Sequence, residues 1–430
     1  NMSISFIQLN EINFDIANSY IKKGYKLDFI KKIIDNGIDT FEEEEYKNLE
    51  PWIQWVTVFK GKLFKEHKIY RLGDGGRIAG NNIFSDINKK LKISCGAIAP
   101  MNISSKNIEL DFFIPDPWSS EKVKGGLFLQ FISDAIKQGV NDNTGKGLSF
   151  LNKIKLCFGI SIVLDLKDLK KIFNFYGTIK NRLYRKALLL DLILVLIHQK
   201  LIKKYGTRFS SVFLNAGAHI QHHYFFNSKV INDKFAKNPS WYINSDYDPI
   251  AETLFFYNEI IESYEKLGHK IILMNGLQQV PYDQLKFYYR LDNHKNFIKF
   301  LGIEFKDILP RMTRDFEIIF TDDSSLKNAY EILKSITDEK KMKVFNEIEI
   351  RPLSLFCTLT YPYEIKKNQT FFTKTKKFKL FEFINFVAIK NGKHDKNGKL
   401  YISGVNIKKN YGDKISLDLV RNLVINEFKK

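Results

Sequence analysis

The sequence predicts an α/β fold, with a central, mostly parallel sheet flanked by helices. Two observations carry the prediction. Short apolar runs with strand character alternate with longer runs of helical character, the pattern of parallel strands joined by helices. The chain has 430 residues, 44% hydrophobic and 27% charged, so it can bury a sizeable core as one large domain with insertions or as two domains.

Each element follows in order. "SISFIQL" alternates and is apolar enough for a first buried strand ending at Asn10 and Glu11. A helix around "NSYIKKGYKLDFIKKIIDNG" comes next, with Gly37 as its stop. "KISCGAIAP" and "IELDFFIPDPW" read as further strands, and "NIFSDINKKL" as a helix. From Ser119 to Tyr205 the pattern is helical and ends in the apolar "ALLLDLILVLIHQKLIKK". Asp191 interrupts that run, and basic residues bound it, so a buried helix is predicted rather than a membrane span. "SSVFLNA" and "KIILMNG" then return as strands around the helix "PIAETLFFYNEIIESYEKLG". "RDFEIIFTD", "LKNAYEILKSI" and "IEIRPLSLFCTLTYP" make a small β-α-β element. The predicted organisation is an α/β core over 1–118, a helical insertion or cap over 119–205, and core again over 206–300. The small element follows over 301–375, and the final core strands over 376–430. "VNDNTGKG", Val140 to Gly147, lacks the glycine spacing and ending of a phosphate loop and is predicted to be an ordinary loop.

The formal net charge of +19 raises nucleic acid as a partner. The lysines are scattered and no recognition motif accompanies them, so no nucleic-acid partner is predicted. Such a surface equally favours phosphorylated substrates or association with a membrane surface. Three cysteines, Cys95, Cys157 and Cys357, lie far apart without metal-ligand spacing and fit a reduced compartment. The amino-terminal residues carry no signal-peptide pattern, so the expectation is a cytoplasmic protein, at most peripheral to the inner membrane.

In an open α/β sheet ligands bind beyond the carboxyl ends of the strands. Three such ends carry polar groups: "QLNEIN" with Asn10, Glu11 and Asn13, "NAGAHIQHHYF", and "LMNGLQQVPYD" with Asn275, Gln278 and Gln279. His219, His222 and His223 stand at i, i+3 and i+4, so on a helix they share a face from which two imidazoles could reach one ion. A surface turn with aromatic neighbours is the alternative. "EYKNLEPWIQWVTVFKGKLFKEHKIYRLGD" sets Glu50 and Gln54 among Trp52 and Trp55, with Arg71 further on. This describes either a shaped polar pocket or an amphipathic helix with tryptophans in the core. "NGKHDKNGKLYISG" places His394 in a glycine-flanked loop before a strand. Arg311 and Arg314, just before a strand, are either phosphate-gripping or solvated.

Taken together, the order of these segments resembles the alkaline phosphatase superfamily, in particular its type I phosphodiesterase/nucleotide pyrophosphatase branch. "GKLFKEHKI" resembles that family's glycine-to-histidine turn, "AHIQHHYFF" its Asp-x-x-x-His metal segment, and "KHDKNGKLYISG" its last metal histidine. The resemblance implies an alkaline-phosphatase-like sheet with a two-metal centre. This chain departs from it at several positions. Asn10 or Glu11 stands for the first-strand aspartate, Ala218 for the aspartate before His222, and Met274–Asn275 for an aspartate–histidine pair. The nucleophile falls near Glu50–Pro51, where there is no hydroxyl.

What the resemblance then implies is a remodelled site. Either Glu11, His222 and His394 hold at most one divalent metal, Zn²⁺ or Mn²⁺, or the site works without metal, with Arg311 or Arg314 stabilising phosphate charge; a two-metal centre is not expected. Glu11, Glu50, His219 and His223 are the candidate catalytic groups. Asn10, Gln54, Trp52, Arg71, Asn275, Arg311 and Arg314 are candidate substrate contacts. The expected function is a transferase of a phosphoryl-type or related group onto a glycan in surface-polysaccharide biosynthesis, acting on a phosphorylated or nucleotide-activated substrate. A metal-dependent phosphodiesterase or phosphatase, and a non-catalytic phosphoglycan-binding protein, are the alternatives.

Overall fold

The computed structural model describes residues 2–43, 45–75, 81–141, 148–231, 234–311 and 314–430. Most of "VNDNTGKG" lies outside them. The chain forms two compact units. The first comprises Asn1–Asp233, Ile243–Pro281 and Gly392–Lys430, and the second Lys234–Tyr242 and Tyr282–Asn391.

Six strands of the first unit are β1 (Ile4–Leu9), β2 (Ile38–Phe41), β3 (Cys95–Ile98), β4 (Phe112–Ile114), β5 (Phe209–Leu214) and β6 (Lys270–Met274). With Gly398–Ile402 and Lys414–Ser416 they build one eight-stranded sheet. Five neighbours, in the order β6, β1, β5, β3, β4, run parallel. Gly398–Ile402 is antiparallel to both β6 and β2. The sheet is therefore mostly parallel, as the alternation of strands and helices predicts.

Every residue of β1 and β5 is buried, because helices cover both faces of a parallel sheet. Phe6, Phe209 and Phe213 point to one face, where Trp55, Phe59 and Phe84 pack on them. Ser5, Ser210, Gly96 and Phe112 form one row through the parallel register and point to the other face. There Phe112 meets His198 of the helix Arg185–Tyr205 edge-on.

Asp191 gives that apolar helix a second task. Its carboxylate accepts the Tyr257 hydroxyl at 2.7 Å and the backbone N–H groups of Asn215 and Ala216 at 3.2 and 3.0 Å. Asn215 precedes the helix Ala216–Tyr224 without capping it through its own side chain, so Asp191 satisfies the free N–H groups at that helix start.

Several local expectations change. The first helical run divides into Phe14–Lys22 and Asp28–Asn36, with Gly24 in the left-handed region between them at φ 91°. "IELDFFIPDPW" keeps only Phe112–Ile114 as strand. No helix among the described residues is long and apolar enough to cross a membrane.

The second unit is wider than the 301–375 element read from the sequence. Phe287, Tyr289 and Leu291 belong to the same buried core as Phe316, Leu355 and Phe371, so the strand Gln278–Leu291 enters that unit from Tyr282 onward. Its four-stranded sheet, in the order Glu347–Arg351, Ser354–Thr358, Asp315–Ile319, Asp307–Pro310, is antiparallel throughout. Two-residue spacing between Glu347–Arg351 and Ser354–Thr358 permits only a hairpin there, whereas a parallel pair needs a crossover.

Candidate functional site

The site begins where β1 ends. Beyond Leu9 the backbone turns sharply, and Glu11 takes the left-handed conformation at φ 61°, costly for a residue with a Cβ. Three hydrogen bonds hold it there. The Glu11 N–H donates to the Asn275 carbonyl, and the Glu11 carbonyl accepts from the Gln279 N–H and the Gln221 side chain. A non-glycine residue held in this region marks a place where surrounding structure overrides local preference.

The carboxylate of Glu11 is almost wholly buried. Oε1 accepts from the Asn10 amide at 3.1 Å, and Oε2 accepts from the Gln279 amide. Two imidazoles converge on Oε2, with His222 Nε2 and His394 Nε2 each 3.2 Å away. On its other side the His394 ring places Nδ1 3.5 Å from Oε2 of Glu50. Residues from near both ends of the chain and from its middle therefore meet at one oxygen. Burial raises the Glu11 pKa, but His394 and His222 outweigh it and hold the carboxyl far below the usual carboxylate range. Burial lowers the His394 pKa, but the charges of Glu11 and Glu50 outweigh it and raise it to about 9.

The histidine segment is helical, Ala216–Tyr224. His222 turns to Glu11, while His219 and His223 pack ring against ring, with centroids 4.6 Å apart. Further centroid distances of 6.5 Å from His223 to His222 and 5.2 Å from His222 to His394 make a row of four imidazoles. His219 is exposed, so the row begins at solvent and ends at Glu11. His223 Nδ1 is buried without a hydrogen-bond partner. Burial first, then the neighbouring His219 and His222, push the pKa of His223 well down, so it stays a neutral ring.

Glu11, His222 and His394 offer ligand atoms within 4.8 Å of one another, and they are the three residues that the sequence analysis named as ligands. The donors suit a divalent metal, with one carboxylate oxygen and two imidazole nitrogens. Nε2 of His394 is buried and makes no well-directed hydrogen bond despite its nearness to Glu11. Glu50 at its far nitrogen is the outer carboxylate that commonly orients a metal-binding imidazole. The residues present fit one ion.

Other candidates are placed differently. Asn10 is buried and its amide is fully used: Nδ2 donates to Glu11 and Asn215, and Oδ1 accepts from Trp55. It positions Glu11 and has no donor left for a ligand. Asn275 is likewise buried, donating to the Ile12 carbonyl and accepting from the Lys399 N–H, so it joins backbone segments. Gln54 is buried with neither amide atom hydrogen-bonded. Trp55 belongs to the core, whereas Trp52 is half-buried and donates to the Tyr70 carbonyl. Arg71 is exposed. His394 lies within the strand Ile384–Asp395, not in a loop, because that segment pairs with Gln278–Leu291. Arg311 and Arg314 belong to the second unit and have partners there. Arg311 pairs with Glu317 at 2.6 Å, while Arg314 covers the Tyr288 ring and donates to the Leu359 carbonyl.

Gln279 and Gln221 fix Glu11 from two sides; the sequence marks Gln279 only as a polar group at a strand end, and Gln221 was not among the residues read from it. The signal available was their position at strand and helix ends, shared with many polar residues that do nothing of the kind.

The protein is an α/β protein with a carboxylate–imidazole cluster at the carboxyl ends of parallel strands. No protein-family model matches the chain, and no curated protein sequence matches it. Among solved structures it is similar to phosphonoacetate hydrolase from Sinorhizobium meliloti 1021, at 9% identity and a TM-score of 0.43, over 99% of this chain and 95% of that one. It is also similar to murine ectonucleotide pyrophosphatase/phosphodiesterase 5, at 8% identity and a TM-score of 0.42, over 100% and 95%. Alkaline phosphatase PafA gives 10% identity and a TM-score of 0.39, over 98% and 94%.

Proposed function

We propose that this chain is an enzyme that transfers a phosphoryl-type group to a hydroxyl acceptor, a glycan in surface-polysaccharide biosynthesis, at a centre built for one divalent ion. The observation that carries the reading is the convergence of His222 and His394 on one oxygen of a buried, ionised Glu11. Glu11, His222 and His394 would hold Zn²⁺ or Mn²⁺. Bound there, the ion would polarise a phosphoryl oxygen and acidify a coordinated hydroxyl.

The protein's own groups do the rest. Glu50, at the Nδ1 side of His394, fixes the tautomer that leaves Nε2 facing Glu11. Asn10 and Gln279 hold the carboxylate in place. His219, packed on the neutral His223, is itself kept neutral by desolvation of its ring and by the nearby His222, which lower its pKa to about 4. It is the proposed general base, taking the acceptor's proton as the acceptor oxygen bonds to phosphorus and the donor's nucleotide leaves with the electrons of the broken P–O bond. An aromatic group beside the Glu50 helix, formed by half-buried Trp52, Phe64 and exposed Tyr70, supports a sugar acceptor.

Elemental analysis of the purified protein is the first test, with up to one Zn²⁺ or Mn²⁺ per chain expected. Two stoichiometric ions would overturn the site as described. Phosphorus NMR then follows a nucleotide-activated donor with and without an oligosaccharide. New sugar-phosphate signal supports transfer. Inorganic phosphate or phosphomonoester alone, unchanged by the sugar, would instead make the protein a hydrolase.

A further inference from the structure

The helices Phe150–Val163 and Leu166–Gly177 leave apolar side chains in water to an extent that their own packing does not explain. Along the first, Phe150, Ile154, Phe158 and Ile162 recur every four residues and all are exposed, with Leu151 beside them. That spacing places them in one stripe down the helix. Only Gly159 and Ile160 of this helix are buried, and no residue of the second is. Leu166 is 84% exposed and Phe173 77%. A soluble helix normally turns its apolar stripe to the core, and a contiguous apolar patch on the outside marks an interaction surface.

The charges around the stripe say what covers it. From Phe150 to Lys186 the sequence has nine Lys or Arg and only two Asp or Glu. Both acids, Asp165 and Asp168, are paired with Lys200, and Arg182 and Arg185 are paired with Glu252. Lys153, Lys167, Lys170, Lys171, Lys180 and Lys186 remain exposed. An apolar stripe bordered by lysines is complementary to an anionic bilayer surface, where rings and branched chains enter the acyl boundary and ammonium groups meet the headgroups. Nucleic acid would match the charge and leave the stripe in water.

We propose that this helical pair docks the protein on an anionic lipid surface, with Phe150, Ile154, Leu166 and Phe173 entering the interface and the lysines contacting headgroup phosphates. The surface is independent of the Glu11 cluster, so its failure or success leaves the proposed chemistry untouched.

Vesicle flotation of the intact protein tests it. Phosphatidylcholine vesicles containing phosphatidylglycerol should carry the protein upward, and phosphatidylcholine alone should not. Leu166→Glu with Phe173→Glu, both far out of the core, should weaken flotation by about tenfold or more, as should Lys170→Glu with Lys171→Glu. Cys157 is the exposed cysteine of the three, so a polarity-sensitive thiol dye on it should blue-shift with anionic vesicles. Three results would overturn the proposal. One is no flotation with either vesicle, and another is flotation that all variants retain. The third is a dimer by light scattering that Leu166→Glu dissociates, which would make a second copy the occupant of the stripe.

Discussion

Oε2 of Glu11 lies 3.2 Å from Nε2 of His394, a contact between the end of the first strand and a strand near the carboxyl terminus. His222 approaches the same oxygen from the helix after β5. The consequences of this convergence can be measured residue by residue.

The three clustered histidines should separate. His222→Ala should lower metal affinity and turnover by about a hundredfold or more, because it removes a group facing Glu11. Its melting temperature should barely change, since partly exposed side chains of this kind move stability by about 0.5 kcal/mol. His219→Ala should leave metal content unchanged and reduce turnover alone. Wild-type turnover in His219→Ala, His222→Ala and His223→Ala alike would make the cluster structural.

Glycine and alanine at position 11 should rank in the unusual order. Both remove the carboxylate and its capacity to ligate, so comparing them isolates the backbone. Glu11 stands at φ 61°, where a Cβ costs about 1–2 kcal/mol. Glu11→Gly should therefore be more stable than Glu11→Ala by about 1 kcal/mol in chemical denaturation. The reverse order would mean that the turn relaxes out of the left-handed region.

Gly392 guards the position of Gln279. A Cβ there would stand 2.1 Å from the Gln279 Oε1 and 3.0 Å from the Gln221 carbonyl. Gly392→Ala should cost about 1–3 kcal/mol through overpacking. It should also weaken metal binding, by pushing the Gln279 amide off Glu11. A variant that binds metal normally would show that Gln279 is not needed to orient the carboxylate.

Asp191 should make stability depend on pH. Burial raises its pKa, against the hydrogen bonds from Tyr257, Ala216 and Asn215, from 3.8 to about 7. The folded state thus holds a proton that the unfolded state releases, so this contribution is complete below about pH 4 and is lost as pH rises towards 7. The Asp191→Asn variant does not titrate; its one amide oxygen can keep the Ala216 N–H and the Tyr257 hydroxyl, and the Asn215 N–H loses its acceptor at every pH alike. Between pH 5 and 7 the wild type should lose on the order of 1 kcal/mol per pH unit relative to that variant. Parallel curves for the two proteins would contradict an uncharged Asp191 in the folded state.

The architecture was readable where burial leaves a continuous chemical mark. β1, β5 and β6 are apolar runs because both of their faces are covered. Asp191 stood out for the opposite reason, as an ionisable residue that interrupts an apolar run and marks it as a buried helix rather than a membrane span. Trp52 and Trp55 could not be told apart in advance. Both sit on one helix with similar neighbours, and only the packing of Phe6 and Phe213 assigns Trp55 to the core.

The sequence by itself determined the mostly parallel α/β sheet, the strand ends where polar groups gather, and the grouping of Glu11, His222 and His394. Local periodicity and the order of motifs carry that information. The tertiary structure alone decided that Asn10 and Asn275 are consumed by internal hydrogen bonds. It also decided that Arg311 and Arg314 serve the second unit, and that Gln279 and Gln221 hold Glu11 in a left-handed turn. Those outcomes depend on which donor meets which acceptor across hundreds of residues, and a hydrogen bond leaves no periodic trace in the chain that makes it.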